Sequence, residues 1–248
     1  MANIIDTWQK QLREAARPEK VKILSSFFKT GKGEYGEGDI FIGLPVPDNR
    51  AISKHYHSLP LDQIAVMLHD SIHEFRLAGL LALVEAYKRT RSYHPRCKEI
   101  ATFYLAHRLC CNNWDLVDLS APYILGEYMI LIDNDTIARQ LAQSSNIWEQ
   151  RIAIISTLAL VRNNLFLTAM EIAEELVDSP IDLLQKATGW VLREVGKRDK
   201  LLLCHFLDRH ADTMPRTTLR YAIERFAPDE RKYYMAMRRT TIPLPDRQ

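Results

Sequence analysis

Apolar residues recur at helical spacing along almost the whole chain. Ile64, Met67 and Leu68, then Leu77, Leu80, Leu81 and Val84, then Ile152, Ile155, Leu158 and Leu160 follow i, i+3, i+4 patterns. Each set falls on one face of an amphipathic helix. Turn signals separate such runs at Pro60, Pro95, Pro122, Asp133-Asn134, Asn163-Asn164, Ser179-Pro180 and Met214-Pro215. Ser179-Pro180 and Thr213-Met214-Pro215 read most clearly as helix starts, where a hydroxyl caps and a proline fits the first turn. The pattern predicts an all-α chain.

A faint repeat runs through it. Glu74-Phe75-Arg76-Leu77-Ala78 precedes one apolar helix, and Glu149-Gln150-Arg151-Ile152-Ala153 precedes another. Positions 76, 114, 151 and 186 are separated by 38, 37 and 35 residues, about the length of one helix-pair repeat. The expected architecture is a superhelical solenoid of helix pairs, with residues 1–248 as a single domain and the last ten or so residues as a flexible tail. In a solenoid, equivalent positions line one surface. Arg76, Trp114, Arg151 and Lys186, with its neighbour Trp190, then share a groove, unless the coincidence only reflects the chemistry of helix starts.

One segment breaks the pattern. Five of the nine glycines, Gly31, Gly33, Gly36, Gly38 and Gly43, crowd together, and Gly31-Lys32-Gly33-Glu34-Tyr35-Gly36 matches GxGxxG. That fingerprint needs a strand before it and a helix after it. Here a helix-like run precedes it and Ile40-Phe41-Ile42-Gly43-Leu44 follows. The stretch near 30–44 is read as a glycine-rich connecting loop or short hairpin, without a dinucleotide.

Composition narrows the setting. No run approaches the ~18 apolar residues of a membrane span, and Met1 to Glu14 lacks the apolar core of a signal peptide. The four cysteines show neither CxxC nor disulfide-framework spacing, which points to reduced thiols in the cytoplasm. The net charge of +2 hides an asymmetry: from Lys186 onward there are 14 basic and 8 acidic residues. A basic C-terminal third suits a polyanion, although a solvated helix face looks the same.

Three motifs make the chemistry more specific: Asn112-Asn113-Trp114-Asp115-Leu116-Val117-Asp118, Ile147-Trp148-Glu149-Gln150-Arg151-Ile152-Ala153-Ile154, and Gln185-Lys186-Ala187-Thr188-Gly189-Trp190-Val191-Leu192-Arg193-Glu194. In this order, and with the glycine-rich block, the chain from about Val21 to Ala227 resembles the DNA alkylation repair family of HEAT-like (AlkD-like) DNA glycosylases. The resemblance implies a site built from Trp114 and Asp118, then Arg151, then Trp190. It also implies a shallow cleft that works on a lesion left largely stacked, and a substrate of double-stranded DNA carrying N3- or N7-alkylated purines. The enzyme expected is a monofunctional glycosylase with no cofactor and no metal, a monomer of the cytoplasm and nucleoid.

The chemistry is sensible on its own terms. Residues four apart share a helix face, so Trp114 and Asp118 can address one ligand. A cationic alkylpurine is already a good leaving group, and what it needs is a fixed anion where oxocarbenium character develops, or a positioned water. Trp114 and Trp190 offer π faces to a cation. Arg151 is expected on a backbone phosphate, and Arg76, Lys186, Arg193, Lys197, Arg198, Arg216 and Arg220 are further candidate DNA contacts. Each has a plainer reading: helix tryptophans usually pack in cores, Asp115 or Asp118 could cap a helix, and Arg151 or Arg76 could be rungs of the repeat. Trp8 and Trp148 are read as packing residues, and the vicinal Cys110-Cys111 as buried. Lys32 and Tyr35 are further guesses for DNA contact. His69-Asp70-Ser71-Ile72-His73 resembles a zinc motif but falls at a helix junction without a third ligand. The competing reading is a non-catalytic binder of branched or distorted DNA, and beyond it a protein-interaction scaffold.

Overall fold

The structure, a computed structural model, describes residues 3–237; the tail expected over the last ten or so residues lies outside them. Residue contacts divide the chain into two compact units, 1–133 and 134–248. The first holds α1 (Ile4–Glu14), α2 (Val21–Phe27), α3 (Val46–Ser53), α4 (Leu61–Leu68), α5 (His73–Arg89), α6 (His94–Ala106), α7 (Trp114–Asp118) and α8 (Glu127–Ile132). The second holds α9 (Thr136–Ala142), α10 (Ile147–Arg162), α11 (Leu167–Leu176), α12 (Asp182–Gly196), α13 (Lys200–His210), α14 (Arg216–Ala222) and α15 (Pro228–Ala236). The fold is all-helical, as the periodicity predicts. None of the described helices is long and apolar enough to cross a membrane.

In the first unit α5 is the central element, with α3, α4, α6 and α7 packed against it. Trp8 of α1 is fully buried and stacks on Tyr56 at 4.4 Å, closing a core with Leu12, Leu44, Met67 and Phe75. Fourteen of the 17 residues of α5 are buried. The polar residues at its start, His73, Glu74 and Arg76, are therefore taken out of water and need internal partners.

The glycine-rich segment supplies them. It is a loop and forms no hairpin: turns run through it, and its one ladder contact is an isolated parallel bridge from Ile40 to Ile72. The Ile40 carbonyl accepts the first N–H of α5, from His73, at 2.8 Å. The backbone N–H groups of Ile42, Gly43 and Leu44 all donate to the buried Glu74 carboxylate at 2.8–3.1 Å. A concave run of N–H groups is a ready anion receptor, and here the chain fills it with its own side chain. Gly43 makes this possible: its φ is +88°, and a Cβ there would lie 2.1 Å from the Arg17 carbonyl oxygen.

In the second unit α10 is buried along Arg151–Val161 between α9, α11 and α12. Asn146 caps it, its side-chain oxygen accepting the N–H of Trp148 at 2.8 Å. Next, α12 packs against α10, α13 and α14. A Cβ on Gly189 would come within 2.6 Å of the Thr218 carbonyl oxygen, so glycine sets how closely α14 approaches.

The predicted turns at Asp133-Asn134 and Asn163-Asn164 hold a left-handed residue each, Asp133 and Asn164, types that tolerate this conformation. Two boundaries differ from expectation. Helix α12 begins at Asp182, beyond Ser179-Pro180, because the Ser179 hydroxyl accepts the Ile181 N–H in a tight turn first. Pro122 does not end its helical segment: it opens a π-helical turn, Pro122–Gly126, that runs straight into α8. A first-turn proline lacks only an N–H that would have no helical partner anyway.

Candidate functional site

Trp114 and Asp118 occupy the first and last positions of α7, a helix of only five residues. Its cap, Asn113, is fully buried and donates to the Asp39 carboxylate at 3.3 Å. Trp114 is half-buried and stacks on Phe28 at 5.1 Å with 13° between planes, while Phe27 meets its edge at 5.6 Å. The stack continues inward, Phe28 on Phe41 at 5.0 Å and Phe41 on His73 at 4.5 Å. One face of the indole is thus fixed by an aromatic column that starts in the turn after α2, crosses the glycine-rich loop and ends on α5.

The column stands on a charged base. His73 bridges two carboxylates, with Nδ1 to Asp39 and Nε2 to Asp115, both 2.9 Å. Arg76 adds a 2.5 Å contact to the other oxygen of Asp39. Burial alone would push His73 toward the neutral form, but Asp115 and Asp39 outweigh it and raise its pKa to about 9. Burial likewise raises Asp39, yet His73 and Arg76 hold it below the usual carboxylate range.

The two aspartates of α7 therefore differ. Asp115 is buried and committed to His73 and to the N–H of Leu116 at 2.9 Å. Asp118, four residues after Trp114, is half-exposed. Sequence patterning left both open as caps; burial separates them.

His73 also makes a testable contribution to stability. Its folded pKa lies above the ~6.5 of an unfolded histidine, so it stabilises fully below pH 6.5, and the contribution is lost as pH rises through about 9. Between those limits the wild type is expected to lose on the order of 3 kcal/mol. A His73→Gln variant should start less stable and show a flat profile there. Parallel profiles for the two proteins, read by chemical denaturation from pH 6 to 10, would refute the charged bridge.

In the second unit Arg151 lies in the first turns of α10, 5% exposed, and donates to the Leu183 carbonyl at 2.5 Å. It fixes the start of α12 relative to α10. Trp190 is half-exposed farther along α12, beside the Gly189 contact. Lys186 pairs with Asp182 at 2.7 Å. Arg193 pairs with Glu194 and Glu224, Lys197 with Glu194 at 2.7 Å, and Arg198 donates to Asn164 at 3.3 Å. Arg216 binds the carbonyls of Met235 and Met237 and closes the end of α15; Arg220 donates to the Arg216 carbonyl. Arg76 is 6% exposed and its guanidinium is held by Asp39, Asn112 and the Asp70 and Ser71 carbonyls. Arg76 and Arg216 are thus placed as internal braces. Lys186, Arg193 and Lys197 sit in surface pairs worth at most about 1 kcal/mol each, which a phosphate can displace. Lys32 is exposed and Tyr35 half-exposed in the loop.

Spacing did not reveal a basic groove in the first unit. A cavity of about 440 Å³ is lined by Arg50 and Lys54 of α3, Lys88 of α5 and Arg91 just beyond it, with Leu81, Val84, Glu85, Tyr123 and Glu127. Arg91 pairs with Glu127 at 2.7 Å. The only signal in the sequence was the i, i+4 placement of Arg50 and Lys54. The zinc-like pattern, by contrast, is broken up: His73 serves the carboxylate bridge, and His69 points elsewhere. Cys111 is buried as expected, but Cys110 is half-exposed.

Comparison with known proteins agrees with this architecture. A solved chain described as a predicted DNA alkylation repair enzyme from Enterococcus faecalis superposes with a TM-score of 0.66 at 18% identity, covering 86% of this chain and 97% of that one. No curated protein matches the sequence. The family model for DNA alkylation repair enzymes matches residues 8–226; with nearly the whole described chain inside that match, the protein belongs to the DNA alkylation repair enzyme family.

Proposed function

We propose that the protein is a monofunctional DNA glycosylase that excises cationic N3- or N7-alkylated purines from duplex DNA. The observation that carries this reading is the division of labour on α7. A tryptophan with one face fixed and a half-exposed aspartate share one side of a short helix, while the neighbouring aspartate is tied up internally. In the reaction the C1′–N bond breaks, the purine leaves neutral with the bond electrons, and water adds to C1′ and loses a proton. Asp118 stabilises the positive charge that develops on the sugar and orients or deprotonates that water. Trp114 presents a π face to the cationic nucleoside.

The buried position of Arg151 moves its proposed role from holding a phosphate to fixing the α10–α12 register that presents Trp190. Backbone contacts then fall to cations that water already reaches: Lys54 and Lys88 of the basic groove, and Lys186, Arg193, Lys197, Arg198 and Arg220. No lysine lies on the Trp114–Asp118 face of α7, consistent with simple hydrolysis and an abasic product.

The test is release of labelled methylpurines from methylated duplex DNA. Release above the spontaneous rate, together with binding that weakens as salt rises, is the expected result. Tight, salt-sensitive binding without release would replace the glycosylase with a binder of distorted DNA.

A further inference from the structure

His69, His107 and Cys110 converge from three elements of the first unit, apart from the Trp114–Asp118 face. His69 is the C-cap of α4, His107 the C-cap of α6, and Cys110 ends the 3₁₀ turn Arg108–Cys110. The His69 Nε2 lies 3.0 Å from the His107 Nδ1. The Cys110 Sγ lies 3.6 Å from the His69 Nδ1 and 4.0 Å from the Nε2 that faces His107. One ligand atom from each residue falls within 4.8 Å of the others.

Small side-chain rotations bring these separations to those of a tetrahedral ion. Zinc bonds of about 2.0–2.1 Å to nitrogen and about 2.3 Å to sulfur place neighbouring ligand atoms about 3.3–3.6 Å apart. The anchors are firm: the backbone N–H groups of His69, His107 and Cys110 are bonded at 3.1, 3.1 and 2.9 Å, and the His107 ring rests on Phe103 at 4.2 Å. Two helices also end here, so their carbonyl ends, the negative poles of the helix dipoles, lie beside the cluster and favour a cation. His69 is exposed and the other two are half-exposed, which leaves a path for the ion from solvent.

We propose that His69, His107 and Cys110 form a binding site for a thiophilic divalent cation of the zinc class, with two imidazoles and one thiolate as ligands and a fourth position open to water. Binding exchanges the Cys110 thiol proton for the metal and releases that proton to solvent; both histidines bind as neutral rings. The site lies beyond the repair reaction. Cys110 is four residues ahead of Trp114, and Asn112 between them accepts from Arg76 at 3.2 Å. The ion would tie the ends of α4 and α6 to the segment that leads into α7.

Chelator-treated, reduced protein should be titrated with Co²⁺ and then Zn²⁺. The expected result is one equivalent of Co²⁺ bound with a near-ultraviolet thiolate-to-cobalt band and four-coordinate visible bands, both displaced by Zn²⁺. Cys110→Ser should abolish the thiolate band, His69→Gln should weaken Zn²⁺ binding at least about tenfold, and Cys204→Ser should leave both unchanged. Circular dichroism of the apo variants checks that they fold, since His69 is exposed and contributes little to packing. Absence of saturable binding, or a thiolate band that persists in Cys110→Ser, would overturn the site. The readout is the ion itself, so the result is independent of base release.

Discussion

Asp118→Asn is expected to lower base release by a factor of about 10²–10⁴, equivalent to roughly 3–5 kcal/mol of transition-state stabilisation, while DNA affinity and thermal stability stay near wild type. The amide keeps the shape of the side chain and removes its charge. The loss therefore appears where positive charge develops on the sugar and spares ground-state binding. Asp118 is half-exposed, so the amide of the same shape fits its place without repacking the core. The neighbouring Asp115→Asn should behave in the opposite way: it removes one of the two carboxylates that hold His73 and should cost stability first, with activity falling as a result. Single-turnover release and melting curves on both variants distinguish the roles. Retention of release within about threefold in Asp118→Asn, with comparable DNA occupancy, would remove Asp118 from the chemistry.

Glu74→Ala should be strongly destabilising, at about 3–5 kcal/mol. It strands the N–H groups of Ile42, Gly43 and Leu44, which otherwise converge on that carboxylate, and opens a cavity at the start of α5. A shift of this size lowers the melting temperature of a chain this long by roughly 6–20 °C. Glu74→Gln should fall between the two, because an amide oxygen accepts some of these bonds while its NH₂ group opposes the rest. The loop also carries Asp39 and Phe41, so base release at moderate temperature should decline with stability. A Glu74→Ala protein within 1 kcal/mol of wild type in urea would show that the loop is held by other means.

Much of this was readable from residue order, for identifiable reasons. The helices of the core repeat announced themselves because burial on one face imposes a 3.6-residue period, and the turn pairs Asp133-Asn134 and Asn163-Asn164 marked ends among them. The pair Trp114 and Asp118 was legible because the relation between them is local. The support beneath them was not. Phe28, Asp39, Phe41, His73 and Asp115 come from four separate segments, and nothing in their spacing says that they meet. The glycine-rich block was legible as a loop, but its tie to the core was not: the N–H groups of Ile42, Gly43 and Leu44, after the fingerprint, are satisfied by a glutamate about thirty positions onward. The basic residues were legible as charge, but burial decided their use: Arg76, Arg151 and Arg216 turned inward to carbonyls, and the cations facing a groove, Lys54 and Lys88, stood outside every motif.

A helix of five residues cannot sustain itself, because the first turn costs more order than its few hydrogen bonds return. The geometry of α7 is borrowed from the column of rings beneath Trp114 and from the Asn113 cap. Warming or mild denaturant that loosens that column should release α7 while α5 and α10, buried along most of their length, hold their shape. Such a molecule would still look helical and still carry its cationic surface, yet it would have lost the alignment of indole and carboxylate. If Asp118 and Trp114 act as proposed, base release should be lost in a local event that precedes unfolding, at a temperature set by a few stacked rings.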